Sequence, residues 1–236
     1  MNHLESQEID PRDRKRFVFH TTWFRKMFVG TLRQAFRLIM KMEVGGLENF
    51  PLDGPVVIAC NHVTNLDVFP MQFSLPRPIF FMAKAELFKF PLMDVALRDL
   101  GAFPVYRGEK DAWAMQYARK VLENGQTLGM FPEGTRNKGR GLGVAKTGTA
   151  RMAIDAKCPI VPMVVTGTDR FFKGFPHRAT VTVNLLPPLL PNSGETPLAL
   201  TDRLMFSMAA ALPEDMRGVY AEIPKGFEQS TTDKHR

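Results

Sequence analysis

From residue 55 onward, apolar positions come in short runs separated by polar, turn-forming stretches. Residues 55–60 (PVVIAC) form an unbroken apolar run of strand length, the pattern of a strand buried on both faces. Similar runs predict strands at 79–83, 102–106, 127–131, 160–165 and 179–186. Between them, 3.6-residue spacing predicts helices at 85–97, 111–124, 145–156 and 201–212. Asp111 and Thr201 are candidate N-caps, while Gly125 and Pro213 are stop signals. Strands alternating with helices indicate an α/β domain with a mostly parallel sheet flanked by helices.

The stretch before this domain has a different rhythm. Wound as a helix from Phe24, it collects Phe24, Met27, Phe28, Leu32, Ala35, Leu38, Ile39 and Met42 on one side. Lys26, Arg33, Arg37 and Lys41 lie opposite, Phe36 and Met40 fall off the apolar face, and Gly30 is a point where the helix could divide. No run of about 18 uncharged apolar residues occurs, so a membrane-spanning helix is not expected. The apolar runs are also too short for a signal peptide. Two readings remain: an amphipathic helix lying in a membrane interface, or one packed on its own domain. The basic face and the absence of acids favour the interface. The expected organisation is a tail and membrane-associating segment at 1–44, a domain at 45–225 and a C-terminal tail at 226–236.

Composition adds one point. Of 236 residues, 44% are hydrophobic and 23% charged, as in ordinary folded domains. Two cysteines, Cys60 and Cys158, are too few for a disulfide framework and suit a reducing compartment. The net charge of +7 implies an anionic partner. Residues 14–41 hold eight Lys and Arg and no acid, leaving 23 basic residues for 24 acidic ones elsewhere. The excess thus belongs to one aromatic-rich amphipathic segment, which suits a membrane surface and argues against nucleic acid.

Two loops carry candidate chemistry, each after a predicted strand, where α/β active sites collect. The first reads Asn61-His62-Val63-Thr64-Asn65-Leu66-Asp67, with Asn65 a candidate helix cap. A carboxylate five residues after a histidine can turn back to its ring and leave the other nitrogen free to take a proton. The second reads Phe131-Pro132-Glu133-Gly134-Thr135-Arg136, followed by a flexible basic run. Arg136, Lys138, Arg140 and Lys146 there suit an anion such as phosphate. No G-x-S-x-G or H-E-x-x-H occurs, so neither a nucleophile elbow nor a metal site is indicated. Cys60 ends an apolar strand and reads as a buried thiol.

Together these residues resemble the 1-acyl-sn-glycerol-3-phosphate (lysophosphatidic acid) acyltransferases of the glycerolipid acyltransferase superfamily. The resemblance rests on N-H-x-[ST]-x-x-D at Asn61–Asp67, on Gly101, Phe103 and Arg107, on F-P-E-G-T-R at 131–136, and on Ile160-Val161-Pro162. The family's usual Ser stands here as Thr64. The segment 165–170 (VTGTDR) is also similar. The resemblance implies acyl transfer from acyl-CoA or acyl-ACP to the free hydroxyl of 1-acylglycerol 3-phosphate, giving phosphatidic acid, with no permanently bound cofactor. His62 and Asp67 would be the catalytic dyad. Arg107, Glu133 and Gly134 would bind the acceptor, helped by Arg136 and Lys146, with Asn61, Thr64, Thr135 and Pro162 in support; the other reading of Glu133 is that it holds its loop by pairing with a basic neighbour. Expected partners are membrane phospholipids and a lysolipid, at the cytoplasmic face of a membrane. The alternatives are the same chemistry on another lysolipid or glycolipid, or a non-catalytic membrane-binding protein. Phe80, Phe81, Met82 and Phe88 are candidates for an acyl tunnel, although core is their ordinary place.

Overall fold

The computed structural model describes residues 10–20, 22–106, 111–173 and 177–222. Helix α1 (Trp23–Ile39) leads into strand β1 (Met40–Gly45). Then come β2 (Val56–Cys60), α2 (Val68–Ser74), β3 (Ile79–Lys84), α3 (Pro91–Leu100), β4 (Ala102–Val105), α4 (Ala112–Glu123) and β5 (Thr127–Met130). The chain continues through α5 (Gly148–Ala156), β6 (Ile160–Thr166), β7 (Ala179–Leu185) and α6 (Pro197–Ala210).

All seven strands form one sheet in the order β1-β7-β6-β2-β5-β3-β4. The five strands from β6 to β4 run parallel. Strand β7 turns back antiparallel to β6, and β1 follows β7 in parallel. The α/β class with helices on both faces is as expected. On one face Val57, Ala59, Phe80, Phe103 and Leu128 pack under α4, α5 and α6. On the other, Val56, Ile58, Cys60, Ile79, Met163 and Val165 pack under α1 and α2. Phe80, Phe81 and Phe88 are buried core, with Met82 half-buried beside them.

Some local readings change. The helical spacing of Ile39 and Met42 suggests a helix running on past residue 40, but α1 stops at Ile39 and β1 begins at once. Strand β1 therefore crosses the expected boundary at 44/45. Gly30 does not break α1. The helix expected at 85–97 is a 3₁₀ turn (Ala85–Lys89) followed by α3, divided by Pro91, which cannot continue a helix from a preceding turn. Helix α5 begins only at Gly148. Thr196, not Thr201, caps α6, accepting the Ala199 N–H at 3.2 Å. Asp111 does cap α4, through the Ala114 N–H at 3.0 Å.

The basic N-terminal segment is partly consumed by the fold. Arg12 pairs with Asp111 at 2.8 Å, Arg14 with Asp94 at 2.7 Å and Arg16 with Asp99 at 3.2 Å. Phe17 packs on Tyr117 and Phe19 on Phe80. Residues 10–20 are thus a strap laid over α3 and α4, where the sequence suggests a loose tail up to residue 13. Arg25 turns inward, its Nε donating to the Asp99 carbonyl at 2.8 Å. Phe28, Val29, Leu32 and Phe36 bury the inner side of α1. Trp23, Phe24, Met27 and Leu38 stay exposed beside Lys26, Arg33 and Arg37.

Gly101 closes α3 at φ 98°, and a Cβ there would lie 2.1 Å from the Ile79 carbonyl oxygen. Gly101→Ala meets both backbone strain and a rigid clash, so it should destabilise the fold by more than about 1 kcal/mol. Urea unfolding should show a lower midpoint with an unchanged slope.

Candidate active site

His62 follows β2, and its loop is built around one carboxylate. Asp67 is fully buried, with 0% of its surface exposed. Its Oδ2 faces His62 Nδ1 at 2.9 Å and accepts the N–H groups of Val63 at 2.7 Å and Thr64 at 2.8 Å. Its Oδ1 accepts from the hydroxyls of Thr64 at 3.2 Å and Thr168 at 2.6 Å. A buried carboxylate is tolerated only when paired and saturated with donors, and this one is. Asp67 itself stands at the N-cap position of α2, with its side chain committed to the loop behind it, and the cap role suggested for Asn65 is not filled by that residue. Asn61 fastens the loop to the sheet: its amide donates to the Val165 carbonyl at 2.9 Å and accepts the Val165 N–H at 2.7 Å.

The second loop grips the first by its backbone. Glu133 is 4% exposed, and its Oε1 accepts the His62 N–H at 2.9 Å while Oε2 accepts the Gly143 N–H at 2.8 Å. Burial pushes the Glu133 carboxyl above the ordinary glutamate value, and these backbone donors pull the other way. The Asn137 N–H donates to the His62 carbonyl at 2.7 Å. Phe131 stacks on the imidazole, ring centroids 4.0 Å apart and 18° from parallel. The ring is therefore held by Asp67 at Nδ1 and by Phe131 on one face.

Gly134 adopts φ +67°, and the Lys146 side chain passes 3.3 Å from where a Cβ would sit. Thr135, Arg136 and Lys146 are exposed. Arg107 lies outside the described residues. Pro162 is buried in β6; its carbonyl accepts the Leu186 N–H at 2.8 Å, and β6 begins pairing with β7 only at the next residue, Met163. A proline can occupy a central strand there because no ladder donor is required of it. Cys60 is fully buried, and burial, with Asp67 and Glu133 nearby, drives its thiol well above the usual value, so it is no nucleophile. Among the described residues no group of His, Cys, Asp or Glu side chains converges as metal ligands.

Sequence reasoning missed Thr168 and Phe131 as site residues. Thr168 is 101 positions from Asp67 and reaches it only because β6 lies beside β2. Its signal was the VTGTDR segment, noted for similarity but without a role.

Residues 41–166 match the model of the Acyltransferase family. A 1-acyl-sn-glycerol-3-phosphate acyltransferase of Borreliella burgdorferi is 33% identical over 56% of this chain and 54% of its own. The human 1-acyl-sn-glycerol-3-phosphate acyltransferase alpha is 32% identical over 74% of this chain and 65% of its own. The match thus spans between about half and two thirds of these relatives. The crystal structure of the acyltransferase PlsC from Thermotoga maritima superposes with a TM-score of 0.66 at 24% identity, covering 79% of this chain and 78% of that one, and shares the fold. With more than half its length matched by the family model and about a third of the aligned positions identical in these relatives, the chain belongs to the Acyltransferase family.

Proposed function

We propose that the protein moves a fatty acyl group from an acyl thioester, on coenzyme A or acyl carrier protein, to the free hydroxyl of 1-acylglycerol 3-phosphate. The observation that carries this reading is the His62 Nδ1–Asp67 contact of 2.9 Å, made by a carboxylate with no solvent exposure. Asp67 accepts a hydrogen bond from Nδ1–H, so Nε2 presents a lone pair. His62 takes the acceptor's hydroxyl proton as that oxygen attacks the thioester carbonyl. A C–O bond forms, the C–S bond breaks, and the proton passes from Nε2 to the departing thiolate. The donor is already activated, so no protein nucleophile is needed. Positioning of the two substrates supplies the rest of the rate.

Lys146 and Arg136, exposed beside Gly134, suit the acceptor phosphate, together with Arg107 as the family resemblance implies. Glu133 is proposed to brace the His62 loop instead of touching the acceptor, because both of its oxygens are occupied. The other lysolipids and glycolipids remain the second reading for the acceptor. No helix among the described residues is long and apolar enough to cross a membrane. We propose peripheral attachment at the cytoplasmic face through the exposed side of α1.

His62→Ala should fold normally and lose about 10²–10⁴ in kcat, read by thioester turnover. Thr168→Val should lower kcat about 10- to 100-fold with little change in either KM, as loss of a supporting partner does, and Thr168→Ser should restore it. A near-native His62→Ala rate would refute the base assignment. Lys146→Ala should raise KM for a phosphorylated acceptor and leave that for the thioester; equal rises would remove Lys146 from the phosphate site. Replacing Trp23 and Phe24 by Ser should reduce co-sedimentation with anionic vesicles, and unchanged binding would free α1 of that role.

A further inference from the structure

The first turn of α3 is built inside out. A surface helix ordinarily buries apolar residues and exposes charged ones. Here Asp94 is buried, paired with Arg14 at 2.7 Å and Arg98 at 2.7 Å, whereas Phe90, Pro91, Leu92, Met93 and Val95 are exposed. Phe90 is 68% and Leu92 85% exposed, and Leu87 in the preceding 3₁₀ turn is also open to solvent. Phe90 occupies the N-cap position, where a small polar residue would satisfy the helix end, and makes no side-chain cap bond. The chain thus forgoes local stability to keep an apolar wedge in water. Isolated exposed apolar residues are normal, but a contiguous set marks an interaction site.

The wedge has a position and a charge. Strand β3 runs parallel to β2 with only β5 between them. The turn after β3 therefore stands on the same edge of the sheet as His62, roughly 10 Å along it by strand spacing. Around the wedge lie exposed Lys84 and Lys89. Lys15 lines a cleft beside Val95 and Asp99. Glu86, also exposed, pairs with Lys84 at 3.1 Å and also feels Lys89, so among the described residues this turn carries two lysines to one exposed acid. An apolar wedge with a basic rim complements an anionic bilayer. It suits a second copy of the chain poorly, because a two-fold contact would set the lysine rims against each other. Side chains as exposed as Leu92 stand proud of the surface, which fits fluid hydrocarbon better than a preformed protein groove.

We infer that the Leu87–Val95 corner is a second membrane-docking element, separate from α1, which inserts Phe90 and Leu92 into the interface of an anionic bilayer. Docking there turns the His62 edge of the sheet towards the lipid. The reason for such a device rests on the reading of the substrates as lipids, but the docking itself does not, so it is tested without substrate or turnover.

Cys60 and Cys158 are both buried, so Leu92→Cys supplies the accessible thiol for a polarity-sensitive fluorophore. Leu52→Cys, in the loop preceding β2 at the opposite edge of the sheet, is the control. With the full chain and mixed phosphatidylcholine and phosphatidylglycerol vesicles, emission from position 92 should shift to the blue. It should also be quenched by lipids carrying spin labels in their acyl chains, and position 52 should do neither. Replacing Phe90 and Leu92 together by Ser should weaken partitioning on the order of tenfold or more. An unshifted label at 92 on vesicle-bound protein would overturn the inference, as would absence of vesicle binding. So would a shift that appears without vesicles as protein concentration rises, which would mark a contact between copies.

Discussion

A single buried carboxylate organises the His62 end of the sheet. Asp67 has no solvent to stabilise its charge, so the fold must supply donors, and it draws them from two separate parts of the chain. Two backbone N–H groups come from the turn between β2 and α2, and one hydroxyl arrives from the end of β6. Satisfying Asp67 therefore fixes the path of the His62 loop and ties it to β6. The same bonds that neutralise the cost of burial orient the imidazole. The contacts that satisfy Asp67 also set the imidazole, so Thr168, remote in sequence, bears on both.

Glu133 extends the arrangement to a third segment. It is buried, raised in pKa by that burial, and spans from the His62 N–H to the Gly143 N–H. A carboxylate with one oxygen on each loop acts as a brace: if either loop moved, a buried charge would lose its partner. The basic groups proposed for the acceptor phosphate sit outside this frame, on exposed chain next to Gly134. The braced part holds His62, and the part proposed for the substrate is exposed chain.

Much of this was legible in the sequence, for physical reasons that also explain the gaps. Buried parallel strands are apolar throughout, so 55–60 and its counterparts announced the sheet. The His62–Asp67 pair could be read because a five-residue turn is a local event. Thr168 could not, since its partner lies across a strand pairing that local pattern does not encode. Strand β1 was hidden because Ile39 and Met42 continue the helical spacing of α1, and only pairing with β7 makes Met40–Gly45 a strand. The charge excess was assigned to one outward-facing segment, yet Arg14, Arg16 and Arg25 are spent within the fold on Asp99 and Asp94. Glu133 allowed two readings, an acceptor ligand or a residue that holds its loop, because its sequence context does not reveal that both oxygens meet backbone N–H groups.

The proposed chemistry requires that Asp67 hold His62 with its proton on Nδ1 and a lone pair on Nε2. Nitrogen-15 NMR of histidine-labelled protein, at a pH where the ring is neutral, reads this directly. A protonated Nδ1 and an unprotonated Nε2 are expected for His62, with the pattern lost in Asp67→Asn. A neutral ring carrying its proton on Nε2 in the native protein would contradict it.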